Sequence, residues 1–214
     1  DPVLGTAVNC LGTANILEES RVRGIKRVVL ASTMATYGED PDAPAETSSI
    51  SGDFQEGPAP FSPVAPVYGA GKAYLEALAR QYARDAGLET AGLRCAFIAS
   101  AGRPTRPPLG LVSGGYIDMV ANSRPVVVDH VDSILPWVYV DDVASRFRIL
   151  LDAPSDLLAR GPFFNTGATT CTVRDIIRIL RELDPGAQIE ERPGKAELVL
   201  GNPKTYSDAL FIAT

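Results

Sequence analysis

Histidine is almost missing from this 214-residue chain, where His130 stands alone. A Ser-His-Asp relay has no obvious base, and a metal site built on clustered His and Cys lacks its ligands. His130 itself reads as an exposed loop residue. Cysteine is nearly as scarce. Cys10, Cys95 and Cys171 are odd in number and far apart, so they read as free, buried thiols in a reducing compartment, not as a disulfide framework. A cytoplasmic location is expected from that. No apolar run approaches the roughly 20 residues that cross a bilayer, and no signal-peptide pattern is present. Positive charge is not in excess either. The net charge of −6 offers no general attraction to nucleic acid. These absences leave a small-molecule substrate as the expected partner, with neither nucleic acid nor a membrane. The chain starts Asp1-Pro2 without an initiator methionine, so it is expected to be a fragment of a longer protein.

Hydrophobic residues make up 45% of the sequence and charged residues 21%, enough for one sizeable core with a small second lobe. Residues 3–20 repeat apolar side chains at helical spacing through Ala7, Leu11, Ala14 and Leu17. Gly12 lies within that stretch and costs stability unless a neighbour packs closely. "IKRVVLA" (25–31) suits a strand buried on both faces. A long proline-rich loop follows from about 38 to 66, of a length that is usually functional or mobile. A second helix is predicted from Tyr68 to Ala86, with Leu75, Leu78, Ala79, Tyr82 and Ala83 inward and Gly87 after its last turn.

Beyond it, 88–98 reads as a strand, "GGYIDMVA" as a short helix, and "PVVV", "WVYV" (137–140) and "PFFN" as strands. Asp141 and Asp142 read as a helix cap in preference to a catalytic pair. Thr172 and Asp175 form a capping-box pattern for a further helix. The last thirty residues are weakly patterned. Alternating helices and strands imply right-handed crossovers and an α/β, doubly wound parallel sheet.

The stretch "YGAGK" (68–72) joins the proline-rich loop to the second helix. One helical turn puts Tyr68 and Lys72 on one face, with Cβ atoms about 5–6 Å apart. Ligands bind beyond the carboxyl ends of the strands in such sheets, where Ser32 and Thr33 also lie. A free phenol has a pKa of about 10, so ionising it at neutral pH takes roughly 4 kcal/mol. A neighbouring ammonium supplies part of that, and a cationic nicotinamide supplies more. The set suits acid/base chemistry at a carbinol or carbonyl carbon coupled to hydride transfer. Taken alone, a Tyr and Lys at this spacing equally describe a core aromatic and a solvated lysine. The hydroxyl pair after a buried strand favours the site. Cys95, on a strand, reads as core.

In the same order along nearly the whole chain, "NCLGTANILE" (9–18), "IKRVVLASTMATYG" (25–38), "SPVAPVYGAGK" (62–72), "LETAGLRCAFI" (88–98), "WVYVDDVA" (137–144) and "FFNTGATTCTVRDI" (163–176) resemble the extended short-chain dehydrogenase/reductases, the NAD-dependent epimerase/dehydratase group. The resemblance implies a Rossmann-like sheet. Residues 1–96, joined by about 126–169, would form a partial nucleotide-binding domain. Residues 97–125 and 170–214 would form a small substrate-binding lobe. It implies Tyr68 as acid/base, Lys72 lowering its pKa and holding the cofactor ribose, and Thr33 as the third catalytic hydroxyl. Ser32 and Asn9 would support them. Ala31, Ser32, Tyr68 and Lys72 would contact NAD or NADP. The two leading helices would form a homodimer interface.

Four departures qualify the resemblance. The family's glycine-rich phosphate loop is not present, so the N-terminal part of the sheet is missing from this chain. Phe97 stands where relatives often have Asn. Leu135 stands where nucleotide-sugar enzymes often present Arg. Met34 and Ala35 replace the Asp-Glu pair that dehydratases need, which argues against dehydration. These features favour a small hydroxy or keto substrate, with Phe97 and Leu135 lining its pocket and Arg103 and Arg106 offered to a carboxylate, or else merely solvated in their loop. A nucleotide-sugar epimerase is the alternative. A non-catalytic dinucleotide-binding relative and a cofactor-free enzyme are the more distant ones.

Overall fold

The computed structural model describes residues 1–37, 66–100, 116–195 and 208–212. The chain divides into two compact units. The first comprises residues 1–96, 143–167 and 199–214, and the second comprises 97–142 and 168–198.

The first unit is built on a three-stranded parallel sheet in the order β1 (Arg27–Thr33), β2 (Glu89–Cys95), β6 (Phe163–Asn165). Side chains of a strand alternate between faces, and β2 shows the consequence. Ala91 and Leu93 point to one side, where they pack with Leu150 of α5 (Val140–Asp152), Leu158 of α6 (Ser155–Leu158), Phe164 and Phe211 of α8 (Ala209–Ile212). Thr90 and Arg94 point to the other, where the Thr90 hydroxyl donates to the Ala79 carbonyl at 3.0 Å. On that side Leu17, Leu30, Leu75, Ala79, Leu88 and Phe163 form the core beneath α2 (Gly12–Val22) and α3 (Pro66–Ala86). Helices therefore cover both faces, the doubly wound arrangement that the alternating elements imply.

Gly92 lies where β1, β2 and β6 crowd together. A Cβ there would fall 2.5 Å from the Leu30 carbonyl oxygen and 2.3 Å from the Phe163 ring. The glycine is dictated by close approach, not by turn geometry.

The leading helix is less regular than its sequence period suggests. α1 (Pro2–Thr6), capped by the Asp1 carboxylate, runs into a π-helical turn (Ala7–Leu11) before α2 continues. Such turns leave one extra residue in the helical ladder and are frequent at functional sites.

In the second unit β5 (Ile134–Tyr139) pairs in parallel with β3 (Phe97–Ala99) and antiparallel with β7 (Thr169–Thr172), while β4 (Val126–Val128) pairs in parallel with β8 (Ile189–Glu191). Its core gathers Tyr116 and Val120 of α4 (Tyr116–Ala121), Val126, Val128, Leu135 and Trp137, with Val173 and Ile177 of α7 (Val173–Leu183). The capping box at Thr172 forms as read. The Thr172 hydroxyl accepts from the Asp175 amide, and the Asp175 carboxylate accepts from the Thr172 amide at 2.9 Å. Asp141 and Asp142 sit in the first turn of α5, where negative charge faces the helix dipole favourably.

Residues 126–142, expected to feed the first sheet, instead hydrogen-bond within the second unit, because β5 takes β3 and β7 as neighbours and β4 takes β8. Phe211, near the C-terminus, joins the first unit's core and meets Phe164 edge-on at 5.7 Å. The strand at 189–191 lies in the stretch whose pattern is too weak to read.

Candidate active site

The C-terminal end of β1 delivers three successive residues to α3. The Lys72 ammonium donates to the Ala31 carbonyl at 2.9 Å. The Ser32 hydroxyl donates to the Glu76 carboxylate at 2.6 Å. The Thr33 side chain lies close enough to the Tyr68 phenol to favour its ionised form. The Thr33 hydroxyl oxygen also accepts the Ala35 amide at 3.3 Å, in the tight turn Met34–Tyr37. Sequence spacing thus becomes geometry. Tyr68, Lys72 and Glu76 occupy successive turns of one helix face, and the strand end meets that face residue by residue.

Small residues between Tyr68 and Lys72 let another element approach. A Cβ on buried Gly71 would lie 3.4 Å from Cys10 Sγ and 3.6 Å from Asn9 Cβ. The π-helical turn therefore packs directly on the first turns of α3. Asn9, half-buried within it, donates from its side-chain amide to the Gly5 carbonyl at 3.0 Å.

The electrostatics differ from the expectation in one respect. Tyr68 as a whole is 41% exposed, yet the groups crowding its phenol desolvate it and raise its pKa above the ordinary tyrosine value. The Thr33 hydrogen bond opposes this without overcoming it, and the Cys95 thiol adds to the rise. The expected lowering by Lys72 is not found. The Lys72 Nζ is 5.9 Å from the centroid of the Tyr68 ring, and burial lowers its own pKa. Desolvation disfavours both charged forms at once. In the chain alone, Tyr68 is a neutral proton donor. Burial also pushes the Cys95 thiol up to about 11, so it stays protonated.

The remaining candidates are distributed as follows. Ser32 is buried with its hydroxyl engaged by Glu76. Ala31 is exposed. Leu135 is 4% exposed and committed to the second unit's core, and half-buried Phe97 packs against Trp137 with ring centroids 6.1 Å apart. Arg103 and Arg106 fall outside the described residues. His130 is exposed, and the three cysteines are free and half-buried, not fully buried as expected. Among the described residues no group of His, Cys, Asp and Glu could hold a metal ion, and no helix is long and apolar enough to cross a membrane.

Sequence reading missed Glu76 and Arg94. Both are charged residues inside apolar segments, and each is nearly inaccessible, at 3% and 5% exposure. Two signals were available. Glu76 continues the four-residue ladder from Tyr68 and Lys72, and Arg94 interrupts a strand that otherwise reads as buried.

The residues present fit the nicotinamide-ribose end of a dinucleotide. Lys72 has three N–H donors and, among the described residues, one hydrogen bond, to Ala31. It stands beside a phenol at the strand edge where ligands bind in such sheets. Among the described residues no glycine-rich loop leads from a strand into a helix, so no pyrophosphate cradle is seen there.

Comparison with known proteins agrees with this architecture. The profile of the NAD dependent epimerase/dehydratase family matches residues 1–167. A putative UDP-glucose 4-epimerase of Methanocaldococcus jannaschii is 28% identical over 92% of this chain, which spans only 61% of that protein's length. The NAD complex of the Thermus thermophilus UDP-glucose 4-epimerase is 27% identical, with a TM-score of 0.73 over all of this chain and 65% of its own. A GalE-like L-threonine dehydrogenase from Cupriavidus necator has the same fold, with a TM-score of 0.79 at 23% identity over 99% of this chain and 74% of its own. The chain belongs to the NAD dependent epimerase/dehydratase family.

Proposed function

We propose that the chain carries the acid/base half of an NAD(P)-dependent oxidoreductase acting on a carbinol or carbonyl carbon. The observation that carries this reading is the convergence of Tyr68, Thr33 and Lys72 at the end of β1. Tyr68 exchanges the proton with the substrate oxygen, and Thr33 holds the phenol in line. Lys72, fixed by the Ala31 carbonyl, places a cation beside the phenol and keeps donors for a ribose diol. A nicotinamide held beside Tyr68 and Lys72 would supply the hydride chemistry, and its oxidised ring would add positive charge next to the phenol. Because desolvation raises the Tyr68 pKa here, the phenol rests protonated and holds the proton that a developing alkoxide takes up, whereas oxidation of an alcohol depends on that added charge.

We assign a small hydroxy or keto compound as the substrate class. A diphosphate wants a guanidinium or several amides, and the position where nucleotide-sugar relatives often present Arg is Leu135. Its side chain is buried in a hydrophobic core. The 28% identity to a putative UDP-glucose 4-epimerase favours a nucleotide-sugar epimerase as the second reading.

A panel separates the two. The complete gene product is offered UDP-, GDP- and dTDP-sugars, hydroxy acids, aldonates and β-hydroxy amino acids. Cofactor absorbance reads net redox change, and product analysis reads redox-neutral epimerisation. Turnover of a small acid is expected. Turnover of a nucleotide sugar with every small acid inert overturns the substrate assignment and installs the epimerase.

A homodimer through the two leading helices is supported on the first of them, residues 2–22. There Val3, Leu4, Val8, Leu11 and Ile16 are each more than half exposed, a surface that an aqueous monomer gains nothing by presenting.

A further inference from the structure

We propose that the buried Glu76–Arg94 pair is a positioning device that sets the register of α3 against the end of β1 and so aligns Tyr68 with Thr33. This rests on the catalytic reading of Tyr68 and Thr33 given above.

The geometry is that of a three-way clamp. The Arg94 Nε donates to one Glu76 oxygen at 3.0 Å and Nη2 to the other at 2.8 Å, a fork that fixes direction as well as distance. The Ser32 hydroxyl donates to the first oxygen at 2.6 Å, and Arg80, one turn along α3, reaches the second at 3.2 Å. One carboxylate therefore ties together β1, β2 and two turns of α3. Ser32 is the residue immediately before Thr33, and Glu76 is two turns beyond Tyr68. A slide of α3 along the sheet that separates Tyr68 from Thr33 must also break the fork.

Stability alone does not account for the choice of residues. A buried ion pair is often no more stabilising than apolar residues of similar volume, because desolvation cancels much of the attraction. The same helix face is occupied by Leu75 and Ala79 nearby, which shows that apolar residues pack there. What the fork supplies beyond packing is a single allowed register.

The test measures whether Thr33 still senses Tyr68 once the clamp is gone. The Tyr68 phenol is titrated by NMR with tyrosine labelled at the ζ carbon, with folding followed by circular dichroism at each pH. The charged and titratable neighbours Lys72 and Cys95 are kept in every variant. In the otherwise native chain, Thr33→Val removes a hydrogen bond that favours the phenolate, so the Tyr68 pKa is expected to rise by about one unit. In the Glu76→Met/Arg94→Leu background, the same Thr33→Val change is expected to move Tyr68 by less than about a third of that, because the two hydroxyls are no longer in register. An undiminished response in this background overturns the proposal and leaves the pair a packing feature.

If the double variant does not fold, Ser32→Ala decides the matter. It cuts the link from clamp to β1 while keeping the ion pair, and it is expected to reduce the Thr33 response by at least about half. A full response there overturns the proposal equally. Failure of the catalytic reading looks different, because Thr33→Val then leaves Tyr68 unmoved in the native chain as well.

Discussion

Lys72 places its ammonium 5.9 Å from the centroid of the Tyr68 ring while donating to the Ala31 carbonyl at 2.9 Å. The lysine is thus held by the strand end, not by the phenol. Desolvation raises the pKa of the phenol and lowers that of the ammonium, so the resting phenol is a neutral acid beside an anchored lysine. Lys72→Met is expected to weaken cofactor binding and slow turnover together, since the ribose contact and the charge are both lost. Calorimetry with the complete gene product checks it. An unchanged cofactor Kd removes the binding role.

The titration of Glu76 sets the acid limb of stability. Burial works to raise its pKa, but the Arg94 charge, hydrogen bonds from Arg94 and Ser32 and the Arg80 charge outweigh it and hold the carboxyl below its ordinary value. A folded pKa below the unfolded one contributes stability that is present above the unfolded value of about 4.3. It is lost as pH falls through that value toward the lowered folded one. Urea midpoints are expected to drop over that window. Glu76→Gln is expected to cost about 3–5 kcal/mol at pH 7, by removing the charge that forks onto buried Arg94, and to flatten the acid dependence. A Glu76→Gln midpoint equal to that of the native chain at pH 7 contradicts this.

Gly92→Ala is expected to destabilise by about 1–3 kcal/mol, because the added methyl meets backbone at Leu30 and the Phe163 ring, neither of which is a flexible tip. Thermal unfolding measures it. Phe163→Leu in the same molecule is expected to restore part of the loss on the ring side only.

The 214-residue chain is expected to bind NAD(H) and NADP(H) poorly. Pyrophosphate rests on amides at a helix N-terminus reached through a glycine-rich loop, and the described residues include no such element. Micromolar affinity in calorimetry contradicts the placement of the cofactor at the Tyr68–Lys72 edge alone.

Sequence was most informative where a single period governs a segment. The apolar runs around Leu30 and Leu93 and the Leu75–Ala79 face announced a parallel sheet under a helix, and "YGAGK" drew attention to the candidate site. It was least informative where a residue's role depends on a distant partner. The π-helical turn at Ala7–Leu11 is invisible to helical spacing, yet it carries Asn9 and Cys10 to Gly71. Glu76 and Arg94 look solvent-bound in one dimension and become the most buried charges of the site in three. Spacing reveals a neighbouring ammonium but not the desolvation of the phenol, which raises the Tyr68 pKa in the chain alone. "PVVV" announced β4 (Val126–Val128), but its pairing joins it to a distant short strand, Ile189–Glu191, that carries no pattern of its own.

Turnover by Tyr68→Phe tests the central claim most directly. The substitution removes one hydroxyl and keeps the ring that packs at the start of α3. With the substrate that the panel identifies, measured in the complete gene product, kcat is predicted to fall by about 10²–10⁴-fold while cofactor affinity stays nearly unchanged. A variant that keeps more than about half of the native kcat contradicts the assignment of Tyr68 as the acid/base.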